Sequence, residues 1–125
     1  MGNSYRDLIV WQRAKALAVN VYRATEPFPK AELFGLTSQM RRAGISAVSN
    51  IAEGQGRATS GEFIQFLGNA RGSVLELNTQ AEVAMELGFL TSNVAENLMR
   101  DCGEVLLLLN RLMTSLRAKK ANFEA

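Results

Sequence analysis

The chain has 125 residues, of which 47% are hydrophobic and 21% charged, with no histidine and one cysteine. This length and composition are typical of one globular domain. The lack of histidine excludes a histidine general acid or base, a Ser-His-Asp or Cys-His triad, and a His/Cys zinc site. The single cysteine excludes an intramolecular disulfide, as is usual in a reducing compartment. No apolar run approaches the ~20 residues of a membrane span, so we expect a soluble, cytoplasmic protein with no membrane segment.

The net charge of +2 is unevenly distributed along the chain. Residues 1–60 carry eight basic and four acidic side chains, residues 61–110 two and seven, and residues 111–125 four and one. Arginine supplies ten of the fourteen cations, and its planar guanidinium suits phosphate contacts. The basic first half is therefore consistent with contact to RNA or DNA. The preferred interpretation of the charge distribution is that positive and negative helices pair within the fold or between subunits.

Apolar residues spaced by three or four positions predict four helices, at about 6–25, 37–55, 60–87 and 92–118. The first ends before Pro27, since a residue preceding proline disfavours helical angles. The second is expected to be capped by Thr37 or Ser38 and to end in the glycine-containing run 53–56. The third begins near the capping residue Ser60.

Gly88 supplies a stop for the third helix, and Thr91 or Ser92 starts the fourth. No segment alternates with a period of two, so no strand is predicted. The short connections predict that sequential helices are antiparallel neighbours. The expected fold is all-α, a single domain over 1–125 with an up-down-up-down four-helix bundle.

The apolar surface exceeds what one bundle requires. Four consecutive leucines, 106–109, point around most of a helix because each residue turns by ~100°. A second apolar stripe, offset from the first, lies on the predicted second helix. We interpret this surplus as an interface between subunits, although a helix sunk deep in the monomer core is the alternative. The predicted interface residues are Ile45, Val48, Leu106, Leu107 and Leu108.

Few residues are candidates for chemistry. Gly54, Gly56 and Gly61 resemble a phosphate loop, but position 59 is threonine and no strand precedes it, so a hinge between helices is the better interpretation. Cys102 lies in an apolar stripe and is interpreted as a small buried hydrophobe.

The carboxylates are the remaining acid/base or metal candidates. Glu82 and Glu86 are four positions apart, and Asp101 and Glu104 three apart. All-helical nucleoside-triphosphate pyrophosphohydrolases hold magnesium with ExxE-type clusters, so a magnesium-dependent nucleotide hydrolase is a remote alternative. Solvated helix faces are the preferred interpretation, and we predict no enzyme activity, no cofactor and no metal site.

Several polar and aromatic residues are candidates for recognition. Asn50 and Glu53, at i and i+3, are expected to form a structural network at the hinge, with Arg57 or Arg42 near Glu53. Trp11 and Tyr22 could stack on bases, but their helical spacing favours a place in the core or in an interface. The candidate nucleic-acid contacts are Arg41, Arg42, Arg57, Arg71, Lys119 and Lys120.

Longer stretches resemble a known family. The opening, 7–22, is similar to DLxVWxxAxxL…Y, and 28–39 to FPxxExxGLxxQ. The core, 41–57, resembles RRAxxS…NIAEGxGR, and 62–80 resembles EFxxFLxxARGSxxE. These are the motifs of the 23S rRNA intervening-sequence proteins, also called the four helix bundle protein family. The chain departs from them at Gly44, where alanine is usual, and at Val48, where proline is frequent.

The resemblance implies a four-helix bundle that assembles into a ring-like homopentamer. Some members are encoded within intervening sequences of bacterial 23S rRNA genes, and a related accessory protein of diversity-generating retroelements binds nucleic acid and a reverse transcriptase. The family has no established enzymatic activity and supplies no catalytic residues. We therefore expect a non-enzymatic oligomeric scaffold that contacts RNA or DNA through arginine-rich surfaces, or alternatively an adaptor for the protein product of a neighbouring gene.

Overall fold

The computed structural model describes residues 4–124, and those residues form helices and turns with no strand. The four long helices are α1 (Ile9–Thr25), α2 (Leu36–Gln55), α3 (Ser60–Glu86) and α4 (Ser92–Glu124). Short 3₁₀ turns precede α1, at Tyr5–Asp7, and α2, at Lys30–Glu32. The all-helical prediction is thus confirmed.

The beginnings of the first two helices differ from the prediction. The Ser4 hydroxyl accepts a hydrogen bond from the Arg6 amide, and a 3₁₀ turn follows, so α1 begins at Ile9 rather than near Arg6. At α2, neither Thr37 nor Ser38 is the cap, because the helix already begins at Leu36 and Thr37 is buried within it. The Leu36 amide instead donates to the carboxylate of Glu32, at 3.2 Å. A carboxylate at a helix N-terminus also stabilises the helix dipole.

The later boundaries follow local signals more closely. Thr59, one residue before the predicted cap Ser60, accepts the Glu62 amide at 3.1 Å, and Thr91 accepts the Val94 amide at 3.2 Å. Gly56 ends α2. Gly88 has φ +79°, the left-handed conformation that glycine adopts without steric cost, and it reverses the chain after α3. The fourth helix continues to Glu124, beyond the predicted end at 118, because no glycine or proline interrupts it.

Contacts between neighbouring helices define an antiparallel bundle. Gly44 of α2 lies against Ala18 of α1, and Ser46 of α2 hydrogen-bonds Ser73 of α3 at 2.9 Å. Arg71 of α3 donates to Asn110 of α4 at 3.1 Å. Each helix therefore packs against two others, and α4 also closes on α1 through an ion pair between Arg13 and Glu104. The order is up-down-up-down, as predicted.

The core runs along the bundle axis and receives one face of every helix. Fully burying a side chain of this kind stabilises the fold by about 1.5–3 kcal/mol. The largest fully buried apolar side chains are Leu17, Val21, Met40, Ile51, Leu67, Val74, Leu77, Val105 and Leu109. Cys102 is buried among them, and this burial, with the nearby charge of Asp101, raises the pKa of its thiol from 9.0 to about 12.

The leucine run of α4 is largely absorbed by the monomer. Leu109 is buried, and Leu106 and Leu108 are half-buried against the core, whereas Leu107 keeps 50% of its surface exposed. On α2, Val48 likewise packs against the core. Burial of α4 within the monomer, the alternative to an interface, therefore explains part of the surplus apolar surface. Of the five predicted interface residues, only Ile45 and Leu107 are exposed.

Candidate binding groove

The outward face of α2 forms the floor of a groove of about 710 Å³. Ser38, Arg42, Ile45 and Ser49 lie along this floor at the three- and four-residue spacing of one helix face. Tyr22 of α1 borders one side of the groove. Two apolar residues of the loop between α1 and α2, Leu33 and Phe34, line the groove near the start of α2.

Phe34 is the most exposed large apolar side chain among the described residues, with 92% of its surface in solvent. Leu33, Ile45 and Tyr22 are also exposed. Single exposed apolar residues are ordinary, but several around one concavity mark an interaction site. Fully burying such a side chain contributes about 1.5–3 kcal/mol, so covering this groove would be favourable.

Arg41 is held at the rim of the groove by several contacts. Its Nε donates to the Thr25 hydroxyl at 2.8 Å, and its Nη2 donates to the Tyr22 carbonyl at 3.3 Å. The guanidinium also lies 4.6 Å from the centre of the Tyr22 ring and 3.5 Å from a carboxylate oxygen of Glu26. Arg41 therefore packs on the exposed Tyr22 ring. Tyr22 lines the groove and does not enter the core, so of the two places predicted for it, core or interface, the interface stays a prediction.

Arg42 differs from its neighbour. It lies on the groove floor, and no hydrogen bond or ion pair to it is found within the described residues. The two arginines point in different directions, as the ~100° turn per residue requires. Because Arg42 is exposed, it is not part of a buried ion pair within the described residues. Its charge is available to a partner.

The predicted network of Asn50 and Glu53 divides between two sites. Asn50 donates to the Ser46 carbonyl at 2.8 Å and to its hydroxyl at 3.2 Å, and that hydroxyl bonds Ser73. Glu53 pairs instead with Arg57 at 3.3 Å, one turn along the helix. Asn50 thus donates to the same Ser46 hydroxyl that joins α2 to α3 beside the groove. The expected approach of Arg57 to Glu53 is confirmed.

The six predicted nucleic-acid contacts are not gathered on one surface. Arg41 and Arg42 are in the groove, and Arg71 is held by Asn110 on the α3–α4 side. The other three lie at the end of the bundle where α2 passes into α3. The Lys120 ammonium stands 3.4 Å from the position a Cβ on Gly61 would occupy, which brings the end of α4 beside the start of α3. Arg57 stacks 4.6 Å from the centre of the Phe66 ring.

The carboxylates do not converge in the described part of the chain. Residues 4–124 contain no group of three His, Cys, Asp or Glu side chains placed to hold a metal ion. Glu104 pairs with Arg13, and Asp101 lies 4.0 Å from Arg100. Glu82 and Glu86 are exposed on α3. Among these helices, none is both long and apolar enough to cross a bilayer.

Comparison with known proteins identifies the family. The sequence model of the 23S rRNA-intervening sequence protein family matches residues 6–111 of the chain. The chain belongs to this family. The match spans the groove and most of all four helices, so the resemblance noted from the sequence motifs is confirmed.

A solved structure confirms the fold of this family member. A protein of unknown function from the S23 ribosomal protein family of Bacteroides thetaiotaomicron superposes with a TM-score of 0.79 at 21% identity. The alignment covers 85% of this chain and 96% of that one. No match is found among curated proteins. The similarity supports the four-helix fold and assigns no activity.

The groove contains residues that sequence reasoning missed. Leu33 and Phe34 were not singled out, because they lie in a predicted loop with no helical periodicity. The available signal was two adjacent large apolar residues between Pro29 and Gly35. A loop of this length has no core to bury both of them.

Proposed function

We propose that this protein is a non-enzymatic, cytoplasmic oligomeric scaffold whose α2 groove binds another copy of the chain. The observation that carries the proposal is the clustering of exposed apolar side chains around Phe34, which is 92% exposed. Arg41 donates to the Tyr22 carbonyl and packs on its ring, and this arrangement favours a rim that is organised before binding. Preorganised side chains lose little conformational freedom on association.

The size of the assembly is part of the proposal. The family resemblance implies a ring-like homopentamer, which would have five times the 13.7 kDa mass of the chain. Sedimentation velocity at micromolar concentration tests this directly. A species of five chain masses supports the pentamer. Another discrete oligomer supports the scaffold but gives a different number of subunits. A species of one chain mass would refute self-association and favour the adaptor alternative, in which the groove binds a different protein.

Nucleic-acid contact is a second candidate function, favoured by the basic end of the bundle. We define this end by Arg57, Lys119 and Lys120, with Arg117 just before the lysines. Lys119, Lys120 and Arg117 are exposed. Basic side chains that neutralise phosphates release bound counterions, so affinity falls steeply as salt rises.

A mobility-shift titration with structured RNA and duplex DNA tests the basic end. We expect Lys119→Glu with Lys120→Glu to weaken binding and to reduce its salt dependence. Arg23→Glu with Lys30→Glu makes the same change of net charge at two exposed positions on α1 and in the loop after it, and is the matched control. Absence of binding at low salt, or equal effects of the two variants, would contradict this role. The ion pair between Glu104 and Arg13 disfavours the magnesium hydrolase alternative, because it occupies one of the carboxylates that would hold the metal.

A further inference from the structure

We propose that the occupant of the α2 groove is the outward face of α3 from a second copy, so that copies associate head to tail. This inference rests on the proposed function, in which the groove binds another copy. It adds which surface of that copy enters the groove. It also adds the geometry of the contact.

The outward face of α3 combines apolar and acidic residues. Leu75, Val83 and Leu87, the last of which directly follows α3, are 42–58% exposed. Val83 lies about two turns after Leu75, and Leu87 about one turn after Val83. Three glutamates, at positions 76, 82 and 86, are exposed on the same half of α3. No ion pair to these glutamates is found within residues 4–124, so their charges are free for a partner. We call this surface the α3 stripe.

The α3 stripe and the groove are complementary in apolar surface and in charge. The groove presents four exposed apolar residues and the unpaired cation of Arg42, whereas the stripe presents three apolar residues and three anions. Apolar surface would be removed from water on both sides, and opposite charges would meet in a partly desolvated contact. In this arrangement the basic and acidic segments of the sequence attract each other between copies of the chain.

Other exposed apolar surfaces are less suited to the groove. On the outward face of α1, Ile9 and Val19 are exposed, but the charges one turn on either side of Val19 are those of Lys15 and Arg23, which have the same sign as Arg42. Like charges placed opposite each other disfavour association. The corresponding apolar residue of α4, Leu107, has Arg111 one turn away, and the neighbouring carboxylate of Glu104 is already paired with Arg13.

The two surfaces lie on different helices, and this determines the symmetry. Contact between unlike surfaces leaves one groove and one stripe open on a dimer. Such heterologous contacts close into a ring or continue as a filament, whereas contact between like surfaces stops at a symmetric dimer. A head-to-tail contact therefore accounts for a ring without any further interface.

Two variants with one disabled surface each test the arrangement. The groove variant carries Phe34→Asp and Ile45→Asp, and the stripe variant carries Val83→Asp and Leu87→Asp. All four positions are exposed, so helical circular dichroism should remain as in the wild type. Val19→Asp makes the same kind of change on α1 and should assemble as the wild type does.

Each variant alone should sediment as a monomer of one chain mass, and an equimolar mixture should form a heterodimer of two chain masses. The heterodimer forms through the one intact groove and the one intact stripe, and the two disabled surfaces repel because both carry added aspartates. Variants that assemble like the wild type, or a mixture that stays monomeric, would overturn the head-to-tail contact. A monomeric wild type would instead refute the proposed function itself, so the two failures are distinguishable.

Discussion

Replacing Gly54 with alanine should destabilise the bundle even though alanine is the better helix former. Gly54 lies at the end of α2, where α3 crosses closely. A Cβ at this position would stand 2.8 Å from the Cβ of Phe66 and 2.9 Å from the Cδ1 of Phe63. The Phe66 atom is attached directly to the backbone of α3, so the clash cannot be relieved by rotating a side chain. The two helices must separate.

The size of the effect follows from two opposing contributions. An alanine within a helix is favoured over glycine by ~1 kcal/mol. Overpacking a well-filled contact costs about 1–3 kcal/mol. The net loss in the free energy of unfolding should therefore be about 0–2 kcal/mol, with the larger value if α3 cannot shift.

Gly103→Ala is the matched control, because Gly103 is within α4 and a Cβ there would meet no atom within 4 Å. This variant should gain about 0.5–1 kcal/mol from helix propensity alone. Urea unfolding at one fixed protein concentration measures both, since assembly makes stability concentration-dependent. If Gly54→Ala stabilises the protein as much as Gly103→Ala does, the close approach of α2 and α3 is not a tight contact.

Two further predictions concern Cys102 and Arg41. Below pH 9.0 the Cys102 thiol is protonated in both the folded and the unfolded protein. Between pH 9.0 and about 12 it ionises only in the unfolded protein, so the free energy of unfolding should fall as the pH rises through this range. A thiol reagent at pH 8 should accordingly label Cys102 no faster than the protein opens, and rapid labelling of the native protein would contradict its burial. Arg41→Lys removes the planar guanidinium that donates to Thr25, and should lower the free energy of unfolding by about 1–2 kcal/mol. Arg42→Lys should change the free energy of unfolding by less than about 0.5 kcal/mol. Equal losses for the two arginines would show that the contacts of Arg41 with Thr25 and Tyr22 do not stabilise the fold.

The helix boundaries were predictable where the signal is local. Gly56 and Gly88 end their helices at the predicted places, because the conformation each adopts depends on neighbours within one turn. The start of α2 was not predictable in the same way. Its cap is the side chain of Glu32, which reaches the Leu36 amide only because a 3₁₀ turn folds the intervening chain. Spacing along a sequence does not reveal such a turn.

The candidate site was less predictable than the fold. Tyr22 follows the apolar spacing of α1, yet it faces the solvent and Arg41 rather than the core. The side of a helix that faces outward depends on how its neighbours pack, which periodicity leaves undecided when apolar residues extend over a wide arc. The leucine run of α4 shows the opposite case, since most of it is covered by the monomer.

The end of α4 also has a dynamic consequence. Met113 is the last buried residue of that helix among those whose side chains are described, and Leu116 is the last that is partly covered. Helical turns without buried contacts open locally at a small cost in free energy, independently of global unfolding. Lys119 and Lys120 are therefore carried on backbone that can unwind and re-form while the core stays intact. This end of the bundle can adapt its shape to an irregular anionic surface without disturbing the groove on α2.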